Sequence, residues 1–78
     1  MTVAQTQRVV LESATLAAAI YHDGDQRLQL DFCDGTRYVY SGVTPNLYRD
    51  LLCAISKGSF FNRHIRGHFP YAKMAPKS

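Results

Sequence analysis

Residues 27–32 read RLQLDF, a strict alternation of polar and apolar side chains. Successive side chains of a β-strand point to opposite faces, so Leu28, Leu30 and Phe32 would share one face. The segment therefore predicts a strand with one buried face, and it is the clearest local signal in the chain. The other elements are placed outward from it.

The residues that follow predict a hairpin. The turn signal CDG stands at 33–35, where glycine accepts positive φ and aspartate can bond the local backbone. Residues 36–41, TRYVYS, return to β-branched and aromatic side chains. We predict an Asp-Gly hairpin in which Phe32 opposes Tyr38.

Further strands are predicted upstream. Residues 16–21 are rich in alanine but too few for an independent helix, and they end at the turn signal of 22–25. As a strand they would complete an antiparallel meander of three, because two strands alone are marginal in water. The β-branched run at 8–11 would add a fourth strand.

A helix is predicted over 45–56. Thr44 is suited to its N-cap and Pro45 to its first position, where the missing N–H removes no bond. Lys57 and Gly58 would close it. An apolar stripe recurs at spacings of three and four, which predicts packing on the apolar face of the hairpin. The stripe consists of Leu47, Tyr48, Leu51, Leu52 and Ile55.

A second, shorter helix is predicted over 60–65, with Ser59 as its cap and Gly67 and Pro70 beyond its end. Four large side chains in this helix and shortly after it would seal the core, namely Phe60, Phe61, Ile65 and Tyr71. The predicted fold is therefore α+β: a small antiparallel meander of three to four strands, covered by one main helix and a short second helix.

The length of 78 residues allows one domain, and the 46% hydrophobic content predicts that it folds. We divide the chain into a mostly flexible segment 1–12, a domain 13–71 and a basic tail 72–78. No stretch resembles a membrane span or a secretory signal, so we expect a cytoplasmic protein without a membrane partner.

Charge is distributed unevenly. Residues 1–56 hold four Lys/Arg and six Asp/Glu, whereas residues 57–78 hold five Lys/Arg and no acid. A basic end on an acidic body suggests a polyanionic partner, although a solvated basic tail gives the same count.

No catalytic or metal-binding pattern stands out. Cys33 and Cys53 are expected to be reduced thiols, and their spacing to His64 and His68 is not that of a zinc finger. Gly67 would also interrupt a helix between the two histidines. We predict no enzyme activity, no cofactor, no metal and no small-molecule substrate.

Several short motifs, taken in order, resemble the KTSC domain, a family named for its occurrence at the C-terminus of some lysyl-tRNA synthetases. They are Ser13, Ile20-Tyr21, residues 28–32, Gly35, Tyr38-Val39-Tyr40, Gly42-Val43, Tyr48, Ala54, residues 56–58, residues 60–66 and Pro70-Tyr71. Phe60 departs from the family pattern, where tyrosine is expected. The resemblance covers roughly 13–71.

The resemblance implies a small module that also occurs as free-standing bacterial proteins and has no established activity. Attachment to a tRNA synthetase suggests RNA as a partner.

The candidate nucleic-acid-binding residues are basic or aromatic: Lys57, Arg63, His64, Arg66, Lys73, Tyr38 and Tyr40. Arginine holds phosphate through parallel donors, and an exposed tyrosine offers a stacking surface. Two alternatives stay open. Tyr38 and Tyr40 alternate on a strand and would ordinarily pack inward, and surface arginines are often solvated or paired with an acid such as Asp31 or Asp50.

Two functions are therefore carried forward. The first is a non-enzymatic accessory module that binds RNA or another single-stranded nucleic acid. The alternative is a protein-interaction module, in which a homodimer forms by strand addition or helix packing.

Overall fold

The computed structural model of the protein describes residues 8–74. Its elements in chain order are β1 Arg8–Val10, β2 Leu16–His22, β3 Arg27–Phe32, β4 Arg37–Ser41, α1 Pro45–Cys53, α2 Lys57–His64 and β5 Tyr71–Met74. The five strands form one antiparallel sheet in the order β1-β2-β3-β4-β5. The α+β class is confirmed, and the predicted number of three to four strands is corrected to five.

The additional strand is β5. We predicted residues 72–78 as a basic tail, yet Ala72, Lys73 and Met74 pair with β4, and residues 75–78 lie outside the described part. A four-residue segment with a central lysine has little strand signal of its own. Its conformation is set by the free edge of β4, which supplies the hydrogen-bonding partner.

The N-terminal segment 1–12, predicted as mostly flexible, also contributes to the sheet. Arg8–Val10 forms β1 and pairs with Ala18–Ile20 of β2, as the β-branched run suggested. Residues 1–7 lie outside the described part.

The hairpin of β3 and β4 differs from the prediction by two residues in register. Leu30 pairs with Tyr38, whereas we predicted Phe32 in that place. The turn needs three residues, 33–35, with Gly35 at φ +93°, and its N–H donates to the Phe32 carbonyl at 3.0 Å. Because side chains alternate with period two, this shift keeps the tyrosines on the predicted face.

The β2–β3 turn places positive φ at Gln26, at +53°, instead of at the glycine of the 22–25 signal. The Gln26 carbonyl accepts hydrogen bonds from the backbone N–H groups of Gly42 and Val43, each at 3.0 Å. This turn therefore anchors the connection from β4 to α1.

Helix α1 begins as predicted. The Thr44 hydroxyl accepts a hydrogen bond from the Leu47 N–H at 3.2 Å, and Pro45 is its first residue. It ends at Cys53, three residues before the predicted end, and Ala54 is extended. Ile55 therefore lies outside the stripe and is fully exposed.

The early end of α1 follows from the capping of α2. Ser56 is the N-cap, and its hydroxyl accepts a hydrogen bond from the Ser59 N–H at 3.4 Å. Lys57 and Gly58 form the first turn of α2. The prediction that they close α1 is therefore wrong. A Cβ added at Gly58 would come within 3.2 Å of the Thr15 hydroxyl, so glycine here allows α2 to approach closely the residue that precedes β2.

Both helices contribute to a core on one face of the sheet. The pairing of Leu28 with Tyr21 and Tyr40 places these side chains on the helix side, together with Leu30. The largest fully buried side chains are Leu16, Leu28, Leu30, Val43, Leu51 and Ile65. The core therefore joins β2, β3, α1 and the end of α2.

An aromatic pair attaches α1 to β2. The Tyr21 and Tyr48 rings stack with centroids 4.7 Å apart, and the buried Tyr21 hydroxyl donates to the Val43 carbonyl at 2.6 Å. The bond satisfies the polar end of a buried ring.

The opposite face of the sheet is organised around Asp31. Although this carboxylate is only 8% exposed, it lies 3.5 Å from Nε of Arg8 and 3.6 Å from Nε of Arg37. The Gln29 amide also donates to it at 3.0 Å. Asp31 is thus paired with strand arginines, so it is not a partner for the arginines after α1.

Replacing Leu51 by alanine tests the helix stripe. Leu51 is fully buried, so Leu51→Ala should lower the free energy of unfolding by about 2–5 kcal/mol through lost transfer energy and a cavity. Urea unfolding measures the change. Asp50→Ala, at the exposed neighbouring position, is the control and should change stability by less than about 0.5 kcal/mol. Equal effects of the two variants would contradict the packing of α1 described above.

Candidate nucleic-acid interface

An open groove of about 510 Å³ lies between α2 and the β4–β5 end of the sheet. Its lining has five aromatic residues, five polar or charged residues and one glycine. The lining residues are Thr15, Phe32, Asp34, Thr36, Tyr38, Tyr40, Phe61, Asn62, Arg66, Gly67 and Tyr71. The volume is in the range of about 300–1,000 Å³ that is usual for small ligands.

The strand register creates this groove. Tyr40 pairs with Tyr71 and Tyr38 pairs with Lys73, so these side chains share the face that the helices cover. On α2, the Phe61 ring makes an edge contact with Tyr40, with centroids 5.6 Å apart. The helix closes the inner part of this face, whereas Tyr71 on the edge strand is 61% exposed.

Tyr38, Tyr40 and Tyr71 form a contiguous group that we call the tyrosine triad. The ring centroids lie 6.2 Å apart for Tyr38–Tyr40, 5.4 Å for Tyr38–Tyr71 and 5.6 Å for Tyr40–Tyr71. Tyr40 is only 4% exposed and belongs to the core, as the alternation favoured. Tyr38 is half-buried, so accessible ring surface comes from Tyr38 and Tyr71.

Arg66 brings positive charge to the triad. Its backbone N–H donates to the Phe61 carbonyl at 2.8 Å, and Gly67, at φ +79°, turns the chain after it. Burial raises the pKa of the Tyr40 hydroxyl, and the hydroxyls of Tyr38 and Tyr71 raise it further. The Arg66 guanidinium acts in the opposite direction on this pKa, and Arg66 lines the same groove as Tyr40.

A carboxylate lies in the turn before β4. Asp34 Oδ1 accepts hydrogen bonds from the Thr36 N–H at 3.0 Å and the Thr36 hydroxyl at 2.7 Å. These bonds, the backbone one first, lower the pKa of Asp34, and the charge of Lys73 contributes in the same direction. Asp34 is therefore ionised at neutral pH.

The remaining sequence-predicted residues lie outside the groove lining. Lys57 Nζ donates to the Ala54 carbonyl at 3.0 Å, which ties it to the junction of the helices. Arg63 and His64 are exposed in the last turn of α2, where cations complement the helix dipole, and the His64 ring lies 4.5 Å from that of Phe60.

Arg63 and Arg66 lie in different local structures. Helix α2 ends at His64, because Ile65 is its C-cap, so Arg66 lies in the following turn. Within residues 8–74 neither arginine forms a salt bridge.

Sequence reasoning named three of the eleven lining residues as candidates, Tyr38, Tyr40 and Arg66, and missed the others. Tyr71, Asn62 and Asp34 are among those missed. Tyr71 was assigned to the core, Asn62 was passed over, and Asp34 was interpreted only as a turn residue. The strand pairing that makes Tyr71 a neighbour of the triad has no local signal. Asp34 does form the expected turn, and its place in the groove depends on the folding of β5 and α2 around it.

The two cysteines, Cys33 and Cys53, are free and exposed. Among residues 8–74, no three His, Cys, Asp or Glu side chains are grouped in a way that could hold a metal ion. None of the helices described for this part of the chain has the length and apolar character to cross a membrane.

Two short helices are inserted before the last strand of the meander, and the groove lies between the sheet and the second helix. These features define a small α+β domain with one sheet. A family model for the KTSC domain matches residues 12–69. The chain belongs to the KTSC domain family.

Relatives include free-standing proteins and parts of larger ones. A protein of Tsukamurella paurometabola is 39% identical over 59 residues, covering 76% of this chain and 88% of that protein. The lysine–tRNA ligase of Nostoc punctiforme is 33% identical over 64 residues, which cover 82% of this chain and 11% of the ligase.

A solved structure has the same fold. The crystal structure of a KTSC domain protein from Yersinia pestis superimposes with a TM-score of 0.86 at 28% sequence identity, covering 91% of this chain and all of the other.

Titration of Tyr40 tests the position of Arg66. Because the guanidinium lowers the Tyr40 pKa, Arg66→Ala should raise that pKa further. A folded pKa above the unfolded value means that Tyr40 stabilises the fold below about pH 10 and that this contribution is lost as pH rises through the folded pKa. NMR of ring-labelled tyrosine follows the titration. Arg63→Ala is the control, and an equal shift in both variants would contradict a specific effect of Arg66.

Proposed function

We propose that this protein is a small non-enzymatic module that binds single-stranded RNA in the groove. Bases stack on the accessible rings of Tyr71 and Tyr38, and phosphates contact Arg66 and Lys73. The single observation that carries the proposal is the presence of partly exposed tyrosine rings and an arginine in one open groove.

Stacking explains why the strand would be single. A base in a duplex has both faces covered by its neighbours, whereas an unpaired base can lie on an aromatic ring. Each such contact is worth about 1–3 kcal/mol and tolerates any base. Tyr71 lies on the edge strand, with one side toward Tyr38 and Tyr40 and the other toward solvent, and this position suits the role.

The charge distribution favours a polyanion. Residues 57–78 contain five Lys/Arg and no Asp or Glu. Of these basic residues, Arg66 lines the groove and Lys73 lies on the edge strand β5. Arg63 and His64, exposed on α2, would extend a phosphate path beyond the groove. Lys57, bound to the Ala54 carbonyl, contributes only its charge.

The relatives add a biological context. Two lysine–tRNA ligases, from Nostoc punctiforme and another Nostoc strain, contain a segment 33% identical to this chain. Those enzymes, by name, act on tRNA, so a domain that is part of them lies near bound RNA. A cytoplasmic location remains a prediction that agrees with an RNA partner.

Salt-dependent binding tests this function. Arg66→Ala should weaken binding of a short unstructured RNA and make the log–log salt slope shallower by about 0.7, the share of one phosphate contact on a single strand. Fluorescence anisotropy measures both quantities. Arg49→Ala is the control, because Arg49 is exposed on α1 and does not line the groove. Absence of RNA binding at low salt would overturn the proposal.

Substitution of Tyr71 separates stacking from charge. Tyr71→Ala should cost about 1–3 kcal/mol of binding free energy and leave the salt slope unchanged, whereas Tyr71→Phe should retain most of the affinity. Equal losses in the two variants would show that the ring does not act by stacking.

A second candidate function is homodimerisation along β5. The Pro70 carbonyl accepts a hydrogen bond from the Ser41 N–H at 2.9 Å. Because bonded and non-bonded pairs alternate in antiparallel strands, the backbone groups of Tyr71 and Lys73 then point away from β4. An outward-facing row of this kind is a template for another strand.

Proline at position 73 tests the dimer. Lys73→Pro removes an outward N–H and the charge, while Lys73→Ala removes the charge alone. If two chains pair along β5, only Lys73→Pro should abolish a concentration-dependent dimer in sedimentation. A wild-type protein that stays monomeric at high concentration would exclude this candidate.

A further inference from the structure

The groove is lined by one negative and one positive side chain, Asp34 and Arg66. Arg66 acts on the hydroxyl of Tyr40, whereas Asp34 lies in the turn that precedes β4, before Tyr38. Along β4, Tyr38 is nearer to the Asp34 turn than Tyr40, and Tyr40, which pairs with Tyr71, is the ring on whose hydroxyl Arg66 acts. A complementary ligand therefore has an anionic group, a flat ring and a hydrogen-bond donor.

The Asp34 carboxylate is held in a defined orientation. Its Oδ1 accepts two hydrogen bonds from Thr36, at 3.0 Å from the backbone and 2.7 Å from the hydroxyl. An oxygen of a carboxylate has two lone pairs, so Oδ1 is fully used and Oδ2 remains as the acceptor. Lys73 influences this carboxylate but forms no salt bridge with it in the described part of the chain.

A carboxylate in an RNA groove would be unfavourable if phosphate lay beside it. Within the same groove, phosphate is attracted to Arg66 and repelled by Asp34. A nucleotide bound there would be oriented with its phosphate toward Arg66 and the edge of its base toward the turn at 33–35. The donors at the edge of an unpaired base are the exocyclic amino groups and, in uracil and guanine, a ring N–H; the amino group is the donor that projects outward from the ring.

Resting on the proposed RNA binding, we propose that Asp34 determines base preference. Its Oδ2 accepts a hydrogen bond from the exocyclic amino group of a base stacked on Tyr38 and Tyr71, while the phosphate of the same nucleotide contacts Arg66. The groove accordingly binds cytosine in preference to uracil.

Cytosine and uracil form the sharpest comparison, because they have the same ring size and nearly the same stacking area. They differ at C4, where cytosine has an amino donor and uracil a carbonyl acceptor, and at N3, where cytosine has an acceptor and uracil an N–H donor. A carboxylate that faces C4, as proposed for Asp34, attracts the amino group and repels the carbonyl. Stacking on Tyr38 and Tyr71 does not distinguish the two bases, so a difference between them reports on the polar contact.

The experiment compares short, labelled oligo(C) and oligo(U) RNAs bound to the full-length chain at neutral pH and constant salt, by fluorescence anisotropy. The wild type should bind oligo(C) about fivefold more tightly, at the low end of the discrimination given by one base contact, since Asp34 is exposed. Asp34→Asn keeps an oxygen for the Thr36 N–H and places an amide donor where Oδ2 stood. This variant should reverse the preference toward uracil.

Asp34→Ser is the second variant, because serine also bonds the backbone of such turns and lacks the outer acceptor. It should bind both RNAs with equal affinity. Circular dichroism and thermal unfolding establish that both variants are folded.

The outcomes separate the two proposals. A reversed preference in Asp34→Asn and an abolished one in Asp34→Ser support base selection by Asp34. An unchanged C-to-U ratio in both variants, with Arg66→Ala still weakening binding, overturns base selection and leaves RNA binding intact. If the wild type binds neither RNA at low salt, both proposals are overturned.

Discussion

The fold depends on the burial of one apolar face of β3. Leu28 and Leu30 are fully buried at the middle of a five-stranded sheet, and they need a second layer to exclude water. Two helices of nine and eight residues supply that layer. Helices this short are marginal in isolation, so Leu51 on α1 and Phe61 on α2 hold them in place through packing on the sheet.

The same layer explains why a groove exists. Gly58 brings the start of α2 close to Thr15, and Phe61 covers Tyr40. The helix layer stops short of the edge strand, where Tyr71 remains largely exposed. One aromatic surface therefore begins as core at Tyr40 and ends as an accessible ring at Tyr71. This continuity ties the groove to the core, because the inner ring, Tyr40, is a core residue.

Carboxylates are arranged differently on the two faces of the sheet. Asp31, on the face opposite the helices, is enclosed by Arg8 and Arg37. Asp34 is bonded to its own turn through one oxygen. Arg66, with no carboxylate paired to it in residues 8–74, adds its charge to the groove. Within the described residues, neither Asp31 nor Asp34 forms a salt bridge with Arg66, and this unpaired guanidinium is the electrostatic basis of the proposed partner.

The sequence by itself determined the elements that have a local cause. The alternation in RLQLDF predicted β3, the Thr44-Pro45 pair predicted the start of α1, and the motifs of residues 56–66 identified the family. Even the register error left the tyrosines on the correct face, because the shift was two residues. For the site, Arg66, Tyr38 and Tyr40 were recognised as candidates by residue type alone.

Only the tertiary structure decided which of these candidates meet. Strand β5 forms because β4 offers a free edge, and this pairing brings Tyr71 and Lys73 to Tyr40 and Tyr38 across a long stretch of sequence. The split between Arg66 in the groove and Arg63 outside it follows from the end of α2 at His64. Side-chain identity is local information, whereas the juxtaposition of a turn, a helix end and an edge strand depends on contacts that no short segment encodes.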